Sequence, residues 1–368
     1  MKFICDGLDL ASASGVVSKI LSVKSNIPIL DGIKIKALGD TVSLSVYNQE
    51  IYIEKIIKAD VLVEGEIVVE GRLFNDYVSK INTKEKVEIE KIDEENISIR
   101  FNLSEVQMQY YEKENFPDFG EYSSDLYFEI KEKDLKELID RSLFCVALTN
   151  NRVMLKSCSF SVKDDEVEAV CLDGFRIAVS KKKTLSQKGD INFIIYGKIV
   201  SDVLKALEES DEVIRVTKEG NMILFDKGHT KIKVNTIEGE FYNYKVNLPA
   251  EVKNEIVVNK EEMEDCLRRA SVICRDTAYS KIIINVEENT INIRAESEKG
   301  RINENINCKN TGDPTKLGLN CRYLQEAISK IKEDYLKIII ERPSKPILIR
   351  QIEEDEYKCI VLPLRLIG

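Results

Sequence analysis

The sequence predicts an α+β protein built from three repeated units, each with two helices packed on antiparallel sheets. Short strands dominate, and their apolar residues either alternate with polar ones or run together, as over residues 33–37, 42–46, 51–57 and 282–286. Six segments have apolar residues at helical spacing instead, and they come in pairs: 10–23 and 72–81, 132–147 and 198–207, 260–274 and 323–331. The order helix, strands, helix, strands therefore occurs three times.

The second helix of each pair repeats along the chain. The segments LFNDYVSKI, IVSDVLKAL and YLQEAISKI recur roughly every 125 residues, a period of whole domains rather than of short solenoid repeats. Two aromatic-rich turns, ENFPDFGEY near Phe116 and EGEFYNYKVNLP near Phe241, close the first two units. We expect domains at 1–125, 126–250 and 251–368 that pack edge to edge, because no low-complexity linker separates them.

Length and composition fit this organisation. A chain of 368 residues exceeds the usual single domain, and 43% hydrophobic with 32% charged residues is typical of a soluble globular protein. No apolar run approaches the roughly 20 residues of a membrane span, and the start MKFICDGLDL lacks signal-peptide features, so we expect a cytoplasmic protein. The nine cysteines show no C-x-x-C spacing, which indicates reduced core thiols.

The residues for catalysis are scarce. His229 is the single histidine, and no G-x-G-x-x-G, G-x-x-x-x-G-K-[ST] or H-E-x-x-H motif occurs. The acidic run Asp164, Asp165 and Glu166 is typical of a hairpin turn rather than of a two-metal site. We therefore expect no catalytic residue, metal or cofactor. A metal-dependent hydrolase or nuclease that uses carboxylates stays open as an alternative.

The repeat also suggests how the chain assembles. An arc of three units has an unpaired strand edge at each end, and a twofold dimer that pairs the first unit with the third satisfies both edges and closes six units into a ring. Val106 and Met108 alternate along one candidate edge strand, and Val272 and Ile273 lie near the end of a helix in the third unit. We expect these four residues at the interface, although they would also suit a core.

Charge distribution bears on the partner. The formal net charge of -10 argues against a protein that coats nucleic acid indiscriminately. The acid is concentrated in strands and loops, however, while the helices are near neutral or slightly basic. If the helices line a ring, the hole would attract phosphates without gripping them, and these residues would face it: Lys80, Lys198, Lys205, Arg268 and Lys332. Mixed charge on solvated helix faces is the alternative interpretation.

Several segments, in order along nearly the whole chain, resemble landmarks of the bacterial DNA polymerase III beta subunit, the beta sliding clamp: SNIPILDGIKIKA, VSLSVYNQEI, GRLFNDYVSKI, NFPDF, CLDGFRIAVS, EGEFYNY and VLPLRL. The resemblance implies three clamp-type domains of the DNA clamp fold and a head-to-tail homodimeric ring around double-stranded DNA. It also implies no activity of its own and a role in tethering the replicative polymerase. A divergent paralogue, or a repeat scaffold that binds peptides without encircling DNA, is the alternative.

The resemblance further implies two sets of contact residues. Phosphate and sugar contacts that ignore DNA sequence would come from Lys24, Asn150, Asn151 and Arg152. A groove between the second and third domains would accept short peptides from the polymerase III alpha subunit, the clamp loader and other partners. Its wall would be formed by Leu155, Leu172, Gly174, Phe175, Arg176, Ile177, Tyr242, Val361, Leu362, Pro363, Leu364 and Arg365.

The groove departs from the family pattern at its rim. Tyr242 stands where the family often has proline, and Val246 and Asn247 replace a basic and an apolar residue. Leu172 replaces a common small polar residue. The peptide preference is therefore expected to be shifted.

Overall fold

The computed structural model describes residues 1–21, 27–81, 85–112, 116–120 and 122–366. The chain divides into two compact units. The first contains residues 1–136, 184–191 and 198–238, and the second contains residues 137–183, 192–197 and 239–368. Each unit is built on one large antiparallel sheet, so each is described by itself.

The strands of the described residues follow one another with few helical interruptions. In chain order they are β1 (Lys2–Asp6), β2 (Gly32–Leu38), β3 (Thr41–Tyr47), β4 (Ile51–Val63), β5 (Gly65–Glu70), β6 (Lys86–Lys91), β7 (Asn96–Phe101), β8 (Ser104–Tyr111), β9 (Tyr127–Lys131), β10 (Ser157–Lys163), β11 (Glu166–Leu172), β12 (Arg176–Lys183), β13 (Ser186–Lys188), β14 (Ile191–Tyr196), β15 (Val213–Glu219), β16 (Met222–Asp226), β17 (Thr230–Asn235), β18 (Asn254–Asn259), β19 (Lys281–Val286), β20 (Thr290–Ser297), β21 (Gly300–Asn310), β22 (Thr315–Asn320), β23 (Tyr335–Ile340), β24 (Ile347–Gln351) and β25 (Tyr357–Val361). The four strands predicted from alternation fall within β2, β3, β4 and β19.

Six α-helices, counted over the same described residues, lie between the strands: α1 (Gly7–Ser18), α2 (Gly71–Val78), α3 (Glu132–Leu143), α4 (Gly197–Ala206), α5 (Lys260–Cys274) and α6 (Cys321–Ser329). Four of them begin at a side-chain cap. The Asp6 carboxylate accepts a hydrogen bond from the Leu8 backbone N–H at 2.9 Å, and Glu70, Asn259 and Asn320 cap α2, α5 and α6. These caps define where the helices start.

The predicted bounds of the first helix, 10–23, differ from the structure at both ends. The helix begins at Gly7 because Asp6 caps it, and it ends at Ser18. The apolar pattern continues through Ile20 and Leu21, which made the segment look longer; the last predicted residues lie outside the described part of the chain. The other five helices agree with their predictions to within four residues at each end.

The sheet of the first unit has the strand order β1-β6-β7-β8-β5-β2-β3-β4-β17-β16-β15-β9-β13. Its centre is the antiparallel pair β4 and β17, in which Tyr52 lies opposite Lys233 and Ile53 opposite Ile232. Helices α1 and α2 pack on each other and bury apolar side chains such as Leu10 and Phe74 completely. Burial of each such side chain contributes about 1.5–3 kcal/mol.

The sheet of the second unit has the order β14-β10-β11-β12-β25-β24-β23-β18-β21-β20-β19-β22. Here β12 pairs with β25, so that Ile177 lies opposite Ile360. The acidic run predicted as a hairpin turn joins β10 to β11, where Lys163 pairs with Glu166. Asp164 and Asp165 both have positive φ, as a two-residue type I′ turn requires, so the turn prediction is confirmed.

The cysteines lie in the interior, as predicted for core thiols. Eight are buried and Cys308 is half-buried, and all nine are free. Burial raises the pKa of the Cys5 thiol to about 12, which keeps it protonated and unreactive near neutral pH. Among the residues that the structure describes, no helix is long and apolar enough to cross a membrane.

Candidate functional site

The structure brings the predicted apolar groove residues together in the second unit. Leu172 at the end of β11 and Ile177 at the start of β12 are buried in one cluster, and Leu155 packs against it. The pairing of β12 with β25 adds Ile360 to the same cluster. Two sequence-distant parts of the chain therefore form one apolar surface.

Two further groove residues belong to the turn between β11 and β12. The Asp173 carboxylate accepts hydrogen bonds from the backbone N–H groups of Phe175 and Arg176 at 2.9 and 3.0 Å. Gly174 has φ +93°, a conformation that side chains rarely adopt. This turn holds the Phe175 ring 54% exposed, so the ring is available to a ligand.

The Arg176 side chain stabilises the structure around the groove through buried contacts and is not exposed in the groove. Its side chain is buried, donates to Asp173 and to the Phe144 carbonyl at 3.0 Å each, and pairs with Glu326 of α6. The guanidinium also lies 4.4 Å from the ring centre of Tyr323, a cation–π contact. Tyr323 in turn stacks on Phe175. The Tyr323 ring therefore links the buried arginine to the exposed Phe175 ring.

The C-terminal tail runs on from β25 along this surface. Val361 is fully buried, the Leu362 N–H donates to the Phe175 carbonyl at 2.9 Å, and the Leu364 N–H donates to the Gly318 carbonyl at 2.8 Å. Pro363 is half-buried and Arg365 exposed. The tail is thus fixed both to the turn between β11 and β12 and to β22. Residues 367 and 368 lie outside the described residues.

Three aromatic or apolar residues of the groove were missed from the sequence: Phe241, Tyr244 and Leu248, which pack in or against the same cluster. The Tyr244 hydroxyl donates to Glu168 at 2.7 Å. Burial and the neighbouring Glu168 carboxylate raise the pKa of Tyr244, so the hydroxyl stays a donor at neutral pH. The segment EGEFYNYKVNLP was noted as a turn, and its aromatic content was the available signal.

The candidate DNA-contacting residues are mostly exposed and mostly paired. Asn151 and Arg152 are exposed and Asn150 half-buried, and the Asn150 side chain accepts from the Arg152 N–H. The exposed helix cations contact acids of their own unit: Lys198 with Glu50, Lys205 with Asp202, Arg268 with Asp265 and Lys332 with Glu137. Lys80 is exposed. Lys24 lies outside the described residues.

The candidate interface residues differ in exposure. Val272 on α5 is 69% exposed, and Ile273 and Val106 are half-buried. Met108 is 7% exposed, because its side chain faces the core of its own unit. Residues 104–109 of β8 pair with β7, whereas β5 reaches only Tyr110 and Tyr111. Within the described chain, this stretch of β8 therefore has one partner strand.

No group of three or more His, Cys, Asp or Glu side chains that could hold a metal ion occurs within the described ranges. His229 lies in the turn between β16 and β17, where its Nδ1 contacts the Lys227 carbonyl at 3.1 Å.

Comparison with known proteins gives one consistent family. Models of the N-terminal, central and C-terminal domains of the DNA polymerase III beta subunit match residues 1–120, 129–243 and 245–365. A curated relative, the beta sliding clamp of Staphylococcus epidermidis, is 26% identical over 357 residues, with 94% of each chain covered.

Solved structures agree on the fold. The sliding clamp of Bacillus subtilis superimposes with a TM-score of 0.94 at 24% identity, and the beta subunit from DNA polymerase of Streptococcus pyogenes with 0.94 at 22%, each over 100% of both chains. The three domain matches in order, the full-length relative and the common fold lead to one conclusion: the chain belongs to the DNA polymerase III beta subunit family, the bacterial DNA sliding clamps.

Proposed function

We propose that two copies of this chain pair head to tail into a ring around duplex DNA, and that the ring holds the replicative polymerase and other proteins there by their short peptides. The observation that supports it most directly is a strand pairing that occurs twice within the chain. The equivalent strands at the two ends of the repeat each leave one edge without a partner strand within the described residues.

The pairing joins the last strand of one repeat to a long strand of the repeat before it. Strand β17 pairs with residues 51–55 of β4, and β25 pairs with residues 176–180 of β12. The counterpart of β17 and β25 in the first repeat is β8, and the counterpart of β4 and β12 in the third repeat is β21. Residues 104–109 of β8 pair only with β7, and residues 300–307 of β21 pair only with β20.

A head-to-tail dimer would pair β8 of one protomer with β21 of its partner, and would do so twice by symmetry. All strand edges at the repeat boundaries would then be used, which protects them from uncontrolled association. Met108 would contribute its backbone to this pairing, since its side chain is buried.

The helices support the same arrangement. In the first unit, the Lys19 ammonium after α1 donates to the Lys205 carbonyl of α4 at 2.8 Å. Val272 lies as many residues after the cap of α5 as Lys19 lies after the cap of α1. In the same way, Ser79 lies as many residues after the start of α2 as Lys205 lies after the start of α4. We therefore place Val272, with Ile273 beside it, against the end of α2 of the partner protomer.

DNA would be held by weak contacts to phosphate and sugar. We assign these contacts to the helix and loop residues Lys24, Lys80, Asn150, Asn151, Arg152, Lys198, Lys205, Arg268 and Lys332. Because four of the helix cations are paired with acids in their own unit, each adds little attraction. A weak, diffuse field suits a protein that must move along DNA.

The groove of the second unit is the proposed peptide site. Its buried floor of Leu172, Ile177 and Ile360 suits aliphatic or aromatic anchor side chains, and the exposed Phe175 ring and the tail form its edges. Expected ligands are peptides of the polymerase III alpha subunit and of the clamp loader. We assign no catalytic activity and no cofactor to the chain, and we place it in the cytoplasm.

We retain 1–125, 126–250 and 251–368 as the proposed domains, supported by the order of the family matches. The two compact units do not follow these limits, because strands of different domains pair with each other. Strand β17 pairs with β4 in the first unit, and β25 pairs with β12 in the second. Strand addition across domain limits explains the difference.

Electron microscopy of the negatively stained protein at micromolar concentration tests the proposal. A six-lobed ring with a hole that passes duplex DNA is expected. Retention on DNA gives a second readout: protein loaded on a nicked circle should be lost when the circle is linearised, because a ring slides off free ends. Open arcs, or equal retention on both DNA forms, would favour a scaffold that never encircles DNA.

A further inference from the structure

A cleft of about 130 Å³ lies in the first unit. It is lined by aromatic, apolar, polar and charged side chains: Tyr47, Glu50, Tyr52, Pro117, Asp118, Met222, Lys233 and Asn235. Drug-sized ligands occupy pockets of about 300–1,000 Å³. This cleft therefore suits one large side chain and a small polar group rather than an extended ligand.

Lys233 is the unusual feature of the cleft. Its ammonium lies 5.7 Å from the ring centre of Tyr52, 5.0 Å from that of Phe119 and 6.0 Å from that of Tyr122. It donates a hydrogen bond to the Phe119 carbonyl, and the side chain is half-buried. Burial lowers the pKa of Lys233, which means that removal from water disfavours its charged form.

The neighbouring carboxylates of the cleft already have other partners. Asp118 pairs with Lys34 at 2.7 Å, and Glu50 pairs with Lys198 at 3.6 Å. Within the described residues, no carboxylate lies within ion-pair distance of Lys233. The cleft therefore combines aromatic walls with one cation that lacks a counter-ion in this part of the chain.

The position of the cleft repeats that of the peptide groove. Lys233 lies opposite Tyr52 in the pairing of β17 with β4, as Ile360 lies opposite Ile177 in the pairing of β25 with β12. An aromatic connecting segment packs on each junction, with Phe116 and Phe119 in the first unit and Phe241 and Tyr244 in the second. The two junctions thus share a strand pairing and an aromatic connecting segment, but a lysine stands in the first where an isoleucine stands in the second.

We propose that this cleft binds an acidic linear peptide, inserting one aromatic or aliphatic side chain between Tyr47, Tyr52 and Met222 while an adjacent carboxylate pairs with Lys233. The carboxylate gains a charge-assisted hydrogen bond, and the lysine gains a counter-ion, which the described residues do not supply. The site is separate from the groove of the second unit, and it predicts a partner of different chemistry, with an acidic anchor rather than a purely apolar one.

The five methionines allow a direct test by NMR with methyl-¹³C methionine. Met222 lines the cleft, whereas Met154 lies beside Leu155 of the peptide groove and Met263 is buried in α5. The probe is N-acetyl-L-phenylalanine, which has an aromatic ring and a free carboxylate. The matched probe is its amide, which has the same ring and no charge.

We expect the acid to shift the Met222 methyl signal saturably and to leave Met154 and Met263 unchanged. The amide should bind at least about tenfold more weakly, since charge-assisted hydrogen bonds are roughly twice as strong as neutral ones. Lys233→Met should abolish the difference between the two probes. Lys231→Met, two residues along the same strand and outside the cleft lining, should preserve it.

An unmoved Met222 signal, or equal binding of acid and amide to the unmodified protein, would overturn the proposal without recourse to any variant. Saturable binding of the acid to the Lys233→Met protein with unchanged affinity would also contradict it. A shift confined to Met154 would report binding in the peptide groove and count against the cleft. Because Met222 and Met154 report separately, failure here leaves the proposed function standing on its own tests.

Discussion

The Tyr242 hydroxyl donates a hydrogen bond to Oδ1 of Asn247 at 2.6 Å. Tyr242 precedes the short 3-10 helix Tyr244–Asn247, and Asn247 is the last residue of that helix. Both stand at positions where the sequence is expected to depart from the family pattern. The two departures are therefore coupled, because the hydrogen bond needs both the Tyr242 hydroxyl and the Asn247 side-chain amide. A proline in place of Tyr242, or an apolar residue in place of Asn247, could not form it. The bond fixes the 48% exposed Tyr242 ring at the edge of the proposed groove.

Removal of this bond is expected to weaken peptide binding modestly. Tyr242→Phe and Asn247→Ala should each raise the Kd for a polymerase-tail peptide by about 2- to 10-fold, since one hydrogen bond contributes about 0.5–1.5 kcal/mol net. The double variant should be no weaker than the weaker single one, because both remove the same interaction. Fluorescence anisotropy measures the effect, with Tyr335→Phe as an exposed-tyrosine control. Additive losses would contradict the coupling.

Much of the fold could be predicted because it depends on local pattern. Alternation placed strands such as β3 and β19, and three helices of matching sequence revealed the repeat. The start of α1 was misplaced, since the Asp6 cap precedes the apolar run by several residues and its effect depends on the conformation of the backbone. Caps are harder to recognise than periodicity.

The candidate site was predicted less completely, because its contacts join distant parts of the chain. Arg176 was expected in the groove wall, and it contacts Asp173 in the turn beside the groove. Its pairing with Glu326, 150 residues away, has no local signal. Tyr244 was missed for a related reason, since an aromatic residue in a turn segment looks alike whether it is solvated or packed under a groove.

The C-terminal tail gives a second prediction. Deletion of residues 364–368 is expected to abolish peptide capture and to leave the dimer intact. The deletion removes the bond of the Leu364 N–H to Gly318 and that of Lys281 to the Arg365 carbonyl at 3.2 Å, so one wall of the groove is lost. Deletion of residues 367–368 alone keeps both bonds and should change the Kd less than about twofold. Unchanged peptide binding by the protein that lacks residues 364–368 would refute the assignment of the tail to the wall of the groove.

Replacement of both Lys24 and Arg152 by alanine should weaken association with DNA. Each lost phosphate contact should reduce the slope of log K against log salt by about 0.9. Titration of labelled duplex DNA at several salt concentrations measures the slope. Lys163→Ala, at the exposed end of β10, is a control for loss of charge alone. If this control lowers the slope as much, the contacts have been placed on the wrong residues.

A buried ion pair makes the stability of the first unit depend on pH. Glu132 is fully buried, accepts from Lys227 at 2.8 Å, from Ser210 at 2.5 Å and from the Glu208 N–H at 2.9 Å. Burial alone would raise the pKa of Glu132, but the hydrogen bonds from Lys227, Ser210 and Glu208 outweigh it, so the pKa is lowered. The pair should therefore stabilise the fold above the unfolded pKa of about 4.3, and this contribution should disappear as pH falls through the lower folded pKa.

Glu132→Gln is expected to reduce the free energy of unfolding by about 3 kcal/mol at pH 7, the low end for a broken buried pair. Glu208 and Glu212 still lie 3.7 and 3.5 Å from Lys227, which limits the loss. Urea unfolding of both proteins from pH 7 down to pH 3 measures it. The difference should shrink on acidification; a constant difference would show that the charge of Glu132 is not the cause.

Val272 offers a test of the dimer that leaves the protomer fold alone. The side chain is 69% exposed in the single chain, so Val272→Asp should cost little folding energy, whereas a carboxylate at the proposed contact with α2 would be desolvated without a partner. We expect the dimer Kd to rise at least about 100-fold by sedimentation, which corresponds to about 2.7 kcal/mol. Val252→Asp, at a 58% exposed valine of the same unit, is the matched control and should remain dimeric. A Val272→Asp protein that sediments as the wild type would place the interface elsewhere and argue against ring closure through β8 and β21.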